Sequence, residues 1–198
     1  MLMLPRLLSM EFCFCYKWRM NGPRQIQNLA LIGFMGTGKS CVGRMVASQL
    51  HFDFIDTDEL IEARAGKSVG EIFAQDGETA FRKIEGDLVA ELSRRQGTVF
   101  STGGGLAANA ENLKTLKETA LVVCLWATSE TIWERVRHQT HRPLLRDADP
   151  LAKIQRLLAE REPYYRQADV LVNTEMRSTK EVVQQVLHQF RLAQSRPS

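Results

Sequence analysis

No two cysteines in this 198-residue chain stand in a C-x-x-C pair or at metal-ligand spacing. The four thiols, Cys13, Cys15, Cys41 and Cys124, make no disulfide framework and suit a reducing cytosol, so a cytoplasmic protein is expected. No apolar run approaches the ~20 residues of a membrane-spanning helix. There is no internal repeat, no low-complexity tract and no long amphipathic seam, so a monomer is expected. Charge of one sign is missing where it would matter. The net charge of +3 falls entirely within residues 1–24, where Arg6, Lys17, Arg19 and Arg24 face Glu11 alone, and the other 174 residues carry 22 basic and 22 acidic side chains. A neutral body leaves no electrostatic footprint for nucleic acid or an anionic membrane. With 44% hydrophobic and 25% charged residues the chain is neither disordered nor collagen-like, and its length suits one domain with an appendage.

Residues 1–24 are that appendage. The stretch has no helical or strand period. Arg6 and Glu11 interrupt its apolar run, no small-residue cleavage site follows, and Met20 offers an alternative start. From Asn28 the pattern is regular. Apolar runs at 29–34, 52–56, 98–102, 120–127 and 170–173 read as strands. Between them lie helical segments at 39–50, 58–65, 78–95, 109–118, 128–137, 149–165 and 178–192, with a further one opened at Ser68. Ser68-x-x-Glu71 and Ser178-x-x-Glu181 are capping boxes, and Asp149-Pro150 places an N-cap before a proline at the first helical position. Continuous apolar strands alternating with helices predict an α/β fold, a five-stranded parallel sheet with helices on both faces. Ligands in such folds bind beyond the carboxyl ends of the strands.

The residues after the first strand, Gly33-Phe-Met-Gly-Thr-Gly38-Lys39-Ser40, match G-x-x-x-x-G-K-[ST] in a strand–loop–helix context. Glycines there let backbone N–H groups converge on phosphate at the positive end of a helix. Gly36, Thr37, Gly38, Lys39, Ser40 and Cys41 are therefore the expected ATP-binding loop, with Lys39 on the β- and γ-phosphates and Ser40 on Mg²⁺. After the second strand, Asp56 and Asp58 lie two apart on a segment read as extended, where both would point the same way. One suits the Mg²⁺ shell and the other an acceptor hydroxyl, but an aspartate at 58 could equally cap the next helix. Arg82 stands three residues before Glu85, the spacing of a surface ion pair. Gly103-Gly104-Gly105 follows the third strand and lets a backbone approach a ligand closely. Residues 135–166 carry eight basic groups against four acids, which suggests that an anion is handled there.

Taken together, GFMGTGKS (33–40), FIDTD (54–58), IFAQDGETAFRKIE (72–85), TGGG (102–105), RPLL (142–145) and REPYYRQAD (161–169) resemble shikimate kinase over about residues 28–192. The resemblance implies a nucleoside-monophosphate-kinase-like fold in a domain of residues 25–198. It also implies a substrate-binding helical segment near 57–90 and a mobile lid near 138–149. The implied reaction is transfer of the ATP γ-phosphate to the 3-hydroxyl of shikimate, a step of chorismate and aromatic amino-acid biosynthesis. Ser40 and Asp56 would hold Mg²⁺. Asp58 would meet the substrate hydroxyls, Arg82 and Arg161 would clamp its carboxylate, and Gly103, Gly104 and Gly105 would approach it through the backbone. Arg142 would reach the phosphates from the lid, and Arg135 would stack on adenine; Lys39, Asp58 and Arg142 form the catalytic set. Cys41 replaces a commoner small residue without consequence for ligands. Rival readings are a gluconate or nucleotide kinase of the same fold, a silent kinase-like binding protein and a nucleotide switch. The silent protein would be expected to lack Lys39, Asp58 or Arg142, and the switch would need no clamping arginines.

Overall fold

The computed structural model describes residues 24–138 and 149–195. The expected lid apart from its ends, His138 and Asp149, and the expected appendage apart from Arg24 lie outside the described residues, Arg142 among them. Five strands, β1 (Asn28–Ile32), β2 (Asp53–Asp56), β3 (Thr98–Ser101), β4 (Ala120–Trp126) and β5 (Val170–Asn173), form one parallel sheet in the order β2-β3-β1-β4-β5. The chain winds from β1 out to β2, returns to β3, then crosses to β4 and β5 on the other side. The carboxyl ends of β3, β1 and β4 therefore flank the reversal, where crevices open in sheets of this kind.

The continuous apolar runs have a simple cause. Successive strand side chains face opposite sides, and both sides of the central strands are covered. Ala30, Ile32, Val122 and Cys124 pack with Leu88, Leu92, Leu116, Ile132 and Ile154 in one cluster. Leu29, Leu31, Leu121 and Val123 pack with Val42, Val46, Val183, Leu187 and Phe190 in the other. The second layer is built by α1 (Lys39–Leu50) and α8 (Thr179–Gln194). The first is built by α2 (Thr57–Ala65), α3 (Val69–Gln75), α4 (Gly77–Leu92), α5 (Ala110–Thr119), α6 (Ser129–Val136) and α7 (Pro150–Tyr165). The edge strand β2 has its first residue, Asp53, exposed and the other three only half-buried.

The helix ends obey the local chemistry. Ser68 and Ser178 close complete capping boxes with Glu71 and Glu181, Thr128 caps α6, and Asp149 caps α7 through Ala152 N–H. Most boundaries differ from expectation by one or two residues, and two differences are larger. Helix α4 stops at Leu92 rather than Arg95, because the chain turns there toward Gly97, whose φ of 64° no helix accommodates. A short 3₁₀ turn over Leu106–Ala108, invisible to a period search, follows the glycine run. No described helix is long and apolar enough to cross a membrane.

Candidate active site

The loop from β1 to α1 has its glycines in conformations that other residues avoid. Gly33, Gly36 and Gly38 have φ of 133°, 75° and 92°. At Gly33 a Cβ would also lie 2.1 Å from the Leu125 carbonyl oxygen, so only glycine lets the loop leave the sheet this close to β4. Helix α1 then begins with no side-chain cap and no acid in its first turn. Its first N–H groups are thus available to an anion, which the helix dipole favours. Lys39 is buried within the loop, its Nζ donating to Phe34 O at 2.9 Å, and Thr37 Oγ1 donates to the same carbonyl at 2.8 Å.

Beside the loop, Ser40 Oγ donates to Asp56 Oδ2 at 2.7 Å and lies 3.2 Å from Ser101 Oγ. Three oxygen-bearing side chains thus converge from α1, β2 and β3. One carboxylate with hydroxyls is a donor set for a hard cation that keeps waters and takes phosphate oxygens, as Mg²⁺ does. No group of three or more His, Cys, Asp or Glu that could hold a metal ion occurs among the described residues.

The two aspartates do not behave as an extended pair. Asp56 ends β2 and Thr57 begins α2, so the alternation of a strand stops between them. Asp56, not Asp58, caps the helix, its Oδ1 accepting from Asp58 N–H at 3.1 Å. Asp56 thus serves both Ser40 and the helix end. Thr57 Oγ1 accepts from Gly103 N–H at 2.9 Å. Asp58 turns toward the glycine run: a Cβ on Gly103 would stand 2.4 Å from its Oδ1.

Arg82 and Arg161 reach the same run from α4 and α7. A Cβ on Gly105 would stand 2.6 Å from Arg82 Nη1, and Arg161 Nη1 donates to Gly104 O at 3.1 Å. The Tyr165 hydroxyl donates to that carbonyl as well, at 2.7 Å. Arg82 does make the i, i+3 pair with Glu85, at 2.6 Å, but Glu85 is only 1% exposed, so this is no surface pair. Glu78 adds a second carboxylate at 2.9 Å. Burial works against the Arg82 charge, yet its ion pairs with Glu85 and Glu78 win and raise its pKa further. Burial also pushes the Glu85 carboxyl up, and Arg82 offsets part of that. Arg161 lies 5.3 Å over the Phe34 ring, a cation–π distance that ties this arginine to the phosphate loop. Asp58 and both arginines therefore converge on the glycine run beside the loop.

On the loop's other side is a cleft of about 260 Å³, lined by Gly36, Thr37, Gly38, Cys41, Val42, Arg135, Thr174, Arg177, Thr179 and Val182. Arg135 is fixed in it by Thr174 Oγ1 at 2.9 Å and Thr174 O at 2.7 Å. Glu175 accepts from Thr128 and Thr131, which joins the turn after β5 to α6; burial opposes its charge, but those donors hold its carboxyl below the usual range. Cys41 is exposed at the cleft wall.

Every expected site residue except Arg142 lies in this two-part site. Reasoning from the sequence missed Thr174, Arg177, Ser101 and Tyr165. Thr174 and Arg177 follow β5, where the strand-end rule would have pointed had it been applied to the last strand. Tyr165 carries no local signal, since a tyrosine near a helix end is ordinary. Of the other basic groups in 135–166, Arg137, Arg156 and Arg166 pair with Glu134, Glu160 and Glu162 at exposed positions.

A Gly105→Ala substitution tests the crowding. The new methyl would meet a guanidinium already held by two carboxylates, so Arg82 must shift. An acceptor that depends on Arg82 should then bind about 10-fold more weakly, as expected for loss of one charge-assisted hydrogen bond. Nucleotide KM and the melting midpoint should stay near wild type. Unchanged steady-state KM for the acceptor would show that Arg82 does not serve it.

The family model for shikimate kinase matches residues 35–191. The shikimate kinase of Thermodesulfovibrio yellowstonii is 41% identical over 165 residues, 83% of this chain and 95% of the relative. That of Caldanaerobacter subterraneus subsp. tengcongensis is 43% identical over 165 residues, 83% of this chain and 96% of the relative. Among solved structures, the shikimate kinase from Acinetobacter baumannii in complex with shikimate superposes with a TM-score of 0.81 at 34% identity, over 86% of this chain and 96% of that one. A gluconokinase from Sinorhizobium meliloti 1021 reaches a TM-score of 0.57 at 19% identity, over 86% of this chain and 95% of that one, a likeness of fold alone.

Proposed function

This chain belongs to the shikimate kinase family, and from that premise we propose how its side chains divide the ATP-dependent phosphorylation of shikimate. The observation that carries the reading is the convergence of Asp58, Arg82 and Arg161 on the glycine run 103–105, directly beside the phosphate loop. Shikimate is a small ring with one carboxylate and three hydroxyls. Two planar guanidiniums suit the carboxylate, and an aspartate suits the hydroxyls. Asp58 accepts the proton of the attacking 3-hydroxyl, and the products are shikimate 3-phosphate and ADP. The backbone of Gly103, Gly104 and Gly105 lies against the ring, because side chains there would collide with the clamp.

Phosphoryl transfer needs mainly positioning and charge neutralisation. The N-terminus of α1 and the loop of Gly36, Thr37, Gly38, Lys39, Ser40 and Cys41 hold the ATP phosphates. Lys39 exchanges the Phe34 carbonyl for β- and γ-phosphate oxygens. Arg135 forms the wall against which adenine lies. Ser40 and Asp56 would hold Mg²⁺, which when bound neutralises charge on the phosphate oxygens. Arg142, within a lid near 138–149, adds positive charge at the phosphates, and the segment near 57–90 carries the acceptor side of the site. Residues 25–198 act as one kinase domain. Free thiols at Cys41 and Cys124 support a reducing cytoplasmic setting. The described exposed apolar side chains Phe73, Ile84, Met176 and Leu192 sit on separate elements, which supports a monomer.

An ADP-release assay with shikimate, gluconate and nucleoside monophosphates side by side tests the substrate. Turnover is expected with shikimate alone, and preferential turnover of gluconate or a nucleotide would overturn the reading. The clamp has its own test. Arg161→Lys keeps the charge and loses the planar fork. Shikimate affinity should fall roughly 10- to 150-fold, the range of a charge-assisted hydrogen bond, while the ATP KM barely moves. Equal weakening toward both substrates would place Arg161 elsewhere.

A further inference from the structure

We infer that Tyr165 is a positioning residue for the acceptor, acting through the carbonyl of Gly104; the inference rests on the clamp reading above. A buried phenol must find a partner for its hydroxyl, and Tyr165, 6% exposed at the end of α7, reaches across to the turn after β3 to find one. Its hydroxyl donates to Gly104 O at 2.7 Å, closer than Arg161 Nη1 at 3.1 Å. Burial pushes the phenol up to about 12, so the hydroxyl keeps its proton as a donor throughout the neutral range.

Two consequences follow from elementary geometry. Three consecutive glycines have the widest choice of φ and ψ, so the Gly104–Gly105 peptide needs an external anchor to keep one orientation. In a trans peptide the C=O of Gly104 and the N–H of Gly105 point opposite ways. Holding the oxygen against α7 therefore aims the Gly105 N–H away from α7. The second consequence concerns Arg161. With the phenol in place, Gly104 O has a donor besides the guanidinium. Without it, the carbonyl draws on Arg161 alone and the guanidinium loses its own bond to the phenol oxygen, so Arg161 is pulled toward the backbone and away from a substrate carboxylate. A packing tyrosine would do neither, and phenylalanine would replace it without loss.

Tyr165→Phe removes only the hydroxyl. The KM for shikimate should rise about 3- to 10-fold, the scale of one neutral hydrogen bond. The ATP KM and the melting midpoint should remain near wild type, and calorimetry on the nucleotide-free protein should show the same loss of shikimate affinity. Combined with Arg161→Lys, the two effects should multiply to less than their product, since both act on one carbonyl and one carboxylate. Wild-type shikimate affinity in Tyr165→Phe, equal loss toward both substrates, or full multiplicativity in the double variant would overturn the inference while leaving the clamp in place. Failure of the wild-type protein to bind shikimate would overturn the clamp reading and this inference together.

Discussion

Lys39→Met is expected to reduce phosphoryl transfer by at least about 10²- to 10³-fold, the cost of removing one preorganised donor from a developing charge. The side chain is buried beside the phosphate loop, where its ammonium donates to Phe34 O. Methionine has similar length and no charge, so the loop keeps its shape while its central cation disappears. Loop conformation depends on glycines at positive φ and on the Thr37 bond to Phe34 O, which the substitution leaves untouched. The melting midpoint should therefore stay within a few degrees of wild type. Turnover with shikimate, measured as ADP release, separates the alternatives: a wild-type rate would show that the loop does not hold the transferring phosphate.

Asp58→Asn should lower kcat by about 10²- to 10⁴-fold, the usual contribution of a positioned general base. The amide is isosteric with the carboxylate and leaves the cap of α2 intact, because Asp56 supplies that cap. Stability should not change. If Asp58 only bound hydroxyls, the loss would appear in the shikimate KM with kcat preserved, and the proton-accepting role would be withdrawn. Gly103→Ala provides an independent check. Its methyl would stand 2.4 Å from Asp58 Oδ1 and must displace the carboxylate. It should lower kcat in the same direction as Asp58→Asn, and adding it to Asp58→Asn should cost little more, since one group is disabled in both.

The order of strands and helices was legible because its causes are local. Apolar runs flanked by glycine mark strands that are covered on both faces, and capping boxes at Ser68 and Ser178 mark helix starts through side chains three residues apart. The phosphate loop was equally legible, because backbone N–H convergence needs glycine and the chain supplies it in one contiguous stretch. The functions of the two aspartates were not separable from local pattern. That depended on where β2 ends: once the chain turns into α2 after Asp56, the two carboxylates diverge toward Ser40 and Gly103. Arg82 posed the same problem. Its spacing to Glu85 is that of a weak surface pair, and only the packing of α4, which leaves Glu85 1% exposed, makes it a buried pair beside the glycine run. The meeting of Arg161 and Tyr165 on Gly104 joins positions 57 and 61 residues apart in the chain. No periodicity reports such a contact. Sequence by itself determined which segments are helix, strand and phosphate loop, since hydrogen-bond capacity and side-chain period act over a few residues. Tertiary structure alone decided which carboxylate caps and which turns to the glycine run, and which arginines leave the solvated faces, because those depend on burial and on distances between elements far apart in sequence.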